Sequence, residues 1–351
     1  MAVTLGYKNH IEMSMATKMA GSVETVQALI NNLSGRAKQA QEVELENLQK
    51  YAESRGFSEE IEVFDVEYFK RKQRRTVLGM SDEDLRDYFP LPKVMNGIFN
   101  LCSSLFDIEF EEVSDQNCWH PDVKLFAVKD IKSGEIKGHF YFDPFIREDK
   151  GYAGGDQGWY LPIRQRSKFG PSLPLGAMIL TFQPPNVGKP CLLNFYESKE
   201  LLRYVLWFLK SLHVEIIAPL FCRKFGQLIQ HTACDSDYSD SSGIMGCELD
   251  VLEFVGKFFE LWIHNPEVLK SMSGHWSNKA PLSEEVVNHL STTIKHHMAG
   301  YELCQKLYLA DYDMGFHSSE ADHFIELEEN VRKNYLLLPK IKGDCAPLHL
   351  R

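Results

Sequence analysis

A double change in hydrophobic period limits what this chain can fold into more than any other feature. In the first part of the chain apolar residues recur at helical spacing, as in Val23, Val26, Leu29, Ile30 and Leu33. Ser22 is placed to cap that helix and Gly56 to stop it. A second helical stretch begins at Ser81, is broken at Pro90 and Pro92, and resumes from Lys93. From Asp122 the period becomes two. "DVKLFAVKD" and "EIKGHFYFDPF" flank "IKSG", which predicts a β-hairpin closed at Ser133–Gly134. A third strand is expected at Leu175–Gln183, and beyond Glu197 the helical spacing returns as far as about Asn334. The expectation is a mainly α protein with a small sheet of about three strands. It divides into a helical region 1–118, a sheet and glycine-rich loop over 119–196, and a second helical region 197–351. No internal repeat or low-complexity linker separates these regions, and they are read as one continuous domain.

Composition narrows the function classes. Across 351 residues, 44% hydrophobic and 25% charged content is that of a globular chain. A formal net charge of -11 argues against nucleic acid as a partner, because that needs a basic face. The eight cysteines (Cys102, Cys118, Cys191, Cys222, Cys234, Cys247, Cys304 and Cys345) show no C-x-x-C pairing and read as reduced thiols. The first residues have neither an apolar signal core nor an Arg-rich transit pattern. The most apolar run, Tyr204–Phe221, is interrupted by Lys210, His213 and Glu215. No membrane span is expected from it. A cytoplasmic location is expected, with an organelle as the alternative.

Several strings invite a chemical reading. "LFCRKFGQLIQH", Leu220–His231, carries Phe225, Leu228, Ile229 and Thr232 at helical spacing and reads as a buried helix. Cys222, His231, Cys234 and Cys247 lie close in sequence, and "HSSEADHFIE" holds His317, Glu320, His323 and Glu326 in two H-x-x-E spacings. Charged helix surfaces produce such patterns by chance, so neither is expected to hold a metal. No G-x-S-x-G elbow is present. "YAGGDQG" lacks the Gly-Lys-Ser/Thr ending of a phosphate loop.

The order of local strings resembles one known family. "LGYKNHIEMSMATKMA" at Leu5, "LRDYFPLPKVMNGIF" at Leu85, "WHPDVKLFAVKD" at Trp119, "GHFYFDPF" at Gly138, "SGIMGCELDVLEFVGKFFELW" at Ser242 and "SGHW" at Ser273 are similar, in collinear order, to the oligopeptidase A and thimet oligopeptidase family. The resemblance implies a mostly helical zincin-like catalytic domain lining a channel that admits short peptides. It also implies one zinc on a helix carrying H-E-F-G-H, with a glutamate on the next helix as third ligand. In such a site two histidines four apart share a helix face, and zinc lowers the pKa of its water to about 7. The resemblance covers nearly all of this chain but about half of a family member, and the expected Gly-Tyr oxyanion segment has no counterpart after His317.

Matching Phe225-Gly226 to the F-G of that motif puts Arg223 and Gln227 at the two histidine positions and Lys224 at the glutamate position. Roughly twenty residues before them read as an insertion; placing the gap so that Arg203 replaces Arg223 leaves the outcome unchanged. Glu253 matches the third ligand, as a vestige. Gly154 and Gly155 match the glycine-rich strip along which a peptide backbone can approach closely, a role able to outlive catalysis. Zinc belongs to the family and is not expected to bind here. The leading expectation is therefore a degenerate, non-catalytic relative that retains short-peptide binding or pairs with a full-length relative. The alternatives are an active zinc metalloendopeptidase and a truncated gene product without an independent role.

Overall fold

The computed structural model of the protein describes residues 1–114, 118–150, 158–170, 172–193, 195, 217–248, 251, 254–318 and 324–341. The chain is mainly helical with one five-stranded sheet. It divides into two compact units. One takes the described residues of 1–79 and 292–341, the other those of 80–195 and 217–291.

The first unit is helical. α1 (His10–Met15) precedes the long α2 (Val23–Ser54), whose first turn is capped as expected: Ser22 Oγ accepts from the Thr25 backbone N at 3.2 Å. The chain leaves α2 through Gly56 at φ 87°. α3 (Val63–Leu78) opens with a capping box between Glu62 and Asp65. Leu48, Ala52, Val66, Phe69 and Tyr301 form one buried cluster, while Ile30, Ala37, Leu307 and Tyr312 belong to another. Glu44 on α2 accepts from the backbone N of Gly300 at 3.0 Å and of Tyr301 at 2.8 Å. A carboxylate thus neutralises the free donors at the start of the later helix Ala299–Ser318.

The second unit holds the sheet. α4 (Asp82–Arg86) is capped by Ser81, and α5 spans Leu91–Phe106. Pro90 is the N-cap of α5 and Pro92 sits in its first turn, so the prolines start this helix rather than interrupt it. The strands are β1 (Ile108–Glu112), β2 (Lys124–Asp130), β3 (Ile136–Phe145), β4 (Gly158–Arg164) and β5 (Leu175–Phe182), in spatial order β1-β2-β3-β5-β4. The predicted hairpin is β2–β3, closed with Gly134 at φ 70° and Asp130 Oδ1 accepting from Ser133 N at 2.7 Å. β3 and β5 run parallel, and the other pairs are antiparallel.

Five strands replace the expected three, and the two missed are the sheet edges. β1 is short, and Glu111 and Glu112 pair with Lys129 and Lys124 across the ladder. Its carboxylates obscure the alternation, and it lies within the region 1–118 read as helical. β4 carries Pro162, which lacks a ladder donor and is tolerated on an edge strand.

The remaining described helices are α6 (Ile217–Thr232), α7 (Phe254–Leu261), α8 (Pro266–Met272), α9 (Glu284–Ser291), α10 (Ala299–Ser318) and α11 (Phe324–Tyr335). α6 packs on the sheet over β3, β4 and β5 and against α7. Phe99 of α5, Phe110, Phe126 and Phe140 of the sheet and Phe225 of α6 form one aromatic cluster beneath it.

Candidate functional site

The candidate site is the turn of α6 that carries Arg223, Lys224 and Gln227, with α7 beside it. The expected apolar stripe is present: Phe225, Leu228, Ile229 and Thr232 are all buried. Phe225 sits among Phe110, Phe99 and Phe140 at ring separations of 5.4, 5.7 and 6.0 Å. Gly226 marks the crossing with α7. A Cβ there would lie 2.7 Å from the Val255 carbonyl oxygen and 2.9 Å from Gly256 Cα. Both residues of the F-G pair therefore have packing roles that need no metal.

That crossing fixes the rotation of α7. Helical spacing alone would place Asp250, Glu253, Lys257 and Glu260 on a polar face opposite Val251, Phe254, Val255, Phe258 and Trp262. The helix instead buries Gly256 and Phe259, while Phe254 and Phe258 are exposed. Lys257 and Glu260 pair on the surface at 2.7 Å. Glu253 lies outside the described residues, immediately before the first turn of α7.

At the motif positions, Arg223 lies within α6, but its side chain is outside the described part. Lys224 is partly buried, and its Nζ stands 3.4 Å from Gln227 Oε1. Gln227 is 5% exposed. An ammonium group therefore faces the amide that occupies the second-histidine position. Neither Lys224 nor Arg223 is a donor to a dication, since the charged forms of lysine and arginine offer only N–H groups and no acceptor. Two unit charges about 4 Å apart repel by roughly 4 kcal/mol at an effective dielectric of 20. A divalent ion beside Lys224 meets more than that. Zinc sites are built from imidazole, thiolate and carboxylate donors, so the described residues here do not fit zinc.

His231 is fully buried one turn further on. Its Nε2 stands 3.1 Å from the Arg164 carbonyl oxygen, which can only accept, so the proton is on Nε2. The ring packs edge-on against Tyr160 of β4 at 5.7 Å. Nδ1 is buried without a hydrogen-bond partner among the described residues. Burial holds this imidazole below its ordinary pKa, partly offset by the backbone at Arg164 and Leu175. His231 thus ties α6 to the end of β4. Cys247 instead contacts Gln230 at 3.3 Å, and the Cys222 side chain is outside the described part. Among the described residues no three His, Cys, Asp or Glu side chains are grouped as a metal requires. His317 pairs with Asp313 at 3.5 Å, and Glu320 and His323 lie outside the described residues.

Gly154 and Gly155 also lie outside the described residues, but the structure on both sides of them is informative. Before them, Asp143 at the end of β3 is 2% exposed and gathers Arg147 at 2.7 and 3.0 Å, Lys150 at 2.9 Å and Trp119 Nε1 at 3.0 Å. Lys150 also donates to the carbonyl oxygens of Asp143 and Phe145. The signal was the spacing Asp143, Arg147, Lys150 at four and three residues, which sequence reading passed over. After them comes the edge strand β4, paired with β5 alone among the described residues. Its outward side chains Trp159, Leu161 and Ile163 are all exposed apolar residues, alternating with buried Tyr160.

No described helix is long and apolar enough to cross a membrane. Residues 217–221 of the apolar run Tyr204–Phe221 open α6; the others lie outside the described residues.

Comparison with known proteins adds the ancestry. The model of peptidase family M3 matches residues 1–203 and 217–350. The unmatched residues 204–216 fall inside the stretch read as an insertion, and the second block includes Arg223, Lys224 and Gln227. The chain is 31% identical over 346 residues to "Oligopeptidase A" of Escherichia coli, covering 97% of this chain and 47% of that protein. Against "Oligopeptidase A" of Haemophilus influenzae the figures are 30% over 354 residues, 99% and 48%. Against "Probable cytosolic oligopeptidase A" of Arabidopsis thaliana they are 28% over 365 residues, 99% and 48%. The chain spans about half the length of these relatives.

Proposed function

The chain belongs to peptidase family M3, and on that premise we propose that it is a non-catalytic member that binds short peptides without hydrolysing them. One observation carries the inert half of this reading: Lys224 places an ammonium 3.4 Å from the amide of Gln227, where the family's second ligand stands. Zinc has no donor pair there, and the glutamate that takes a proton in the H-E-x-x-H pattern is a cation in this chain. No hydrolytic step is derived for it.

The binding half rests on β4. An unpaired strand edge offers backbone donors and acceptors to an extended peptide, and side chains at alternate positions supply selectivity. Trp159, Leu161 and Ile163 present an apolar row, so a peptide with apolar residues at every second position suits it best. Pro162 removes one donor from the strand. Pairing with a full-length relative is the other partner in keeping with this ancestry. A cytoplasmic location agrees with the relative described as cytosolic, and an organelle, as for the Arabidopsis thaliana relative described as organellar, is the alternative.

The test uses a short, internally quenched peptide with alternating apolar residues, incubated with the purified full chain and added zinc. The expected result is a saturable anisotropy change on a labelled version of that peptide, with no rise in cleavage over buffer. Weakening by about fivefold is expected in Leu161→Asp, which puts a charge into the apolar row. Chelator-sensitive cleavage overturns the inert half of the reading. Peptide binding that Leu161→Asp leaves untouched overturns the placement on β4.

A further inference from the structure

A second surface, in the helical unit, has a chemistry of its own. α3 contains "KRKQRR" at Lys70–Arg75, and its cations divide between two faces. Lys70 and Arg74 are buried, with Lys70 paired to Glu302 and, at 3.8 Å, to Glu67. The opposite face carries Phe64, Tyr68, Lys72 and Arg75 at successive spacings of four, four and three residues. Phe64 is 55% exposed and Tyr68 45% exposed. Lys72 Nζ lies 4.5 Å over the Tyr68 ring.

Arg55, just beyond α2, extends the strip at its cationic end. Its guanidinium donates to Thr76 Oγ1 at 3.3 Å and lies 5.3 Å from the Tyr51 ring centre. The Tyr51 hydroxyl shares a hydrogen bond of 2.8 Å with the same Thr76. The result is a continuous strip, aromatic at the start of α3 and cationic at its end.

Two features set the strip apart from an ordinary solvated face. Several exposed lysines elsewhere are paired with carboxylates, as in Lys50–Glu46, Lys124–Glu112, Lys132–Asp107 and Lys168–Asp237. Arg55, Lys72 and Arg75 have no carboxylate at ion-pair distance among the described residues, although the chain holds 49 acidic against 38 basic residues. The unpaired cations also adjoin two exposed aromatic rings, the residue types that carry most binding energy in interfaces.

We propose that this strip is a docking site for an acidic peptide segment of a partner protein. An apolar side chain of that segment lies against Phe64 and Tyr68, and its carboxylates meet Lys72, Arg75 and Arg55. The net charge of -11 selects the occupant. An extended polyanion or an anionic bilayer is repelled by the whole molecule. A short acidic segment, by contrast, feels mainly the charges within a Debye length of about 8 Å.

The probe is a labelled synthetic peptide of leucine and glutamate, titrated against the full chain by fluorescence anisotropy. The expected result is saturable binding that weakens about tenfold between roughly 0.05 and 0.3 M salt. A further loss of about tenfold is expected in the double variant Lys72→Glu with Arg75→Glu, and in Phe64→Ser with Tyr68→Ser. All four positions are exposed, so both variants are expected to melt like the parent. Should the charge reversal melt early, Lys72→Gln with Arg75→Gln gives the same reading. Absence of binding, or equal binding by the charge-altered variant, overturns the proposal. Tighter binding of single-stranded DNA or of phosphatidylserine vesicles than of the peptide overturns the choice of partner. A dimer in sedimentation that disappears in the charge-altered variant assigns the strip to a second copy instead, and also overturns it.

Discussion

Replacing Asp143 with alanine is expected to cost about 3–5 kcal/mol of stability, read as an earlier urea midpoint with an unchanged slope. The carboxylate is almost fully enclosed and faces two cations, Arg147 and Lys150, whose side chains are themselves only 17% and 7% exposed. Removing it leaves two like charges beside each other in a poorly solvated pocket, with the Trp119 N–H deprived of its acceptor. Burial alone would push the Asp143 carboxyl up. Hydrogen bonds from Arg147, Lys150 and Trp119 outweigh that, and the net shift is downward from 3.8. A lowered folded-state pKa means that the unfolded chain binds the proton more readily. The contribution is thus complete above about pH 4 and fades as the pH falls through the folded value. Asp143→Asn keeps an acceptor but loses the charge, and is expected to fall between alanine and the parent. A loss under about 1 kcal/mol for the alanine variant would mean that the cluster is solvated, contrary to its geometry.

The second large effect is at the motif helix. Phe225→Ala is expected to cost about 3–5 kcal/mol, because a fully buried ring is removed from among four other phenylalanines. Thermal melts of the variant and parent measure it. A near-neutral result would show that the site collapses around the gap, and the packing account of the F-G pair would then fail. The prediction separates two reasons for this pair to stand in the chain. If its role is to shape a metal site, its removal matters little where Lys224 and Gln227 stand at the motif positions. If its role is to join α6 to the aromatic cluster and to α7, the cost is that of any core residue.

Much of the fold was legible because it depends on local periodicity and caps. Ser22, the Ser133–Gly134 hairpin and the apolar stripe of α6 follow from spacing alone. The edge strands were not legible, since β1 is short and rich in glutamate and β4 contains Pro162; their strand character comes from the ladder beside them. The rotation of α7 was also hidden. It is set by contact between Gly226 and Gly256, residues thirty positions apart with no side chains to pattern. At the candidate site, the identities at 223, 224 and 227 were plain from sequence. The amide–ammonium contact, the burial of His231 against Arg164 and the Asp143 cluster needed three-dimensional placement.

The central claim is that cations and an amide at the motif positions oppose a zinc ion. Metal content of the purified full chain, after equilibration with excess zinc and removal of the unbound ion, tests it most directly. Fewer than about one zinc in ten chains is predicted, since tight structural and catalytic sites need three or four good donors. One zinc per chain, lost on replacing Gln227 or Glu253 with alanine, would contradict it.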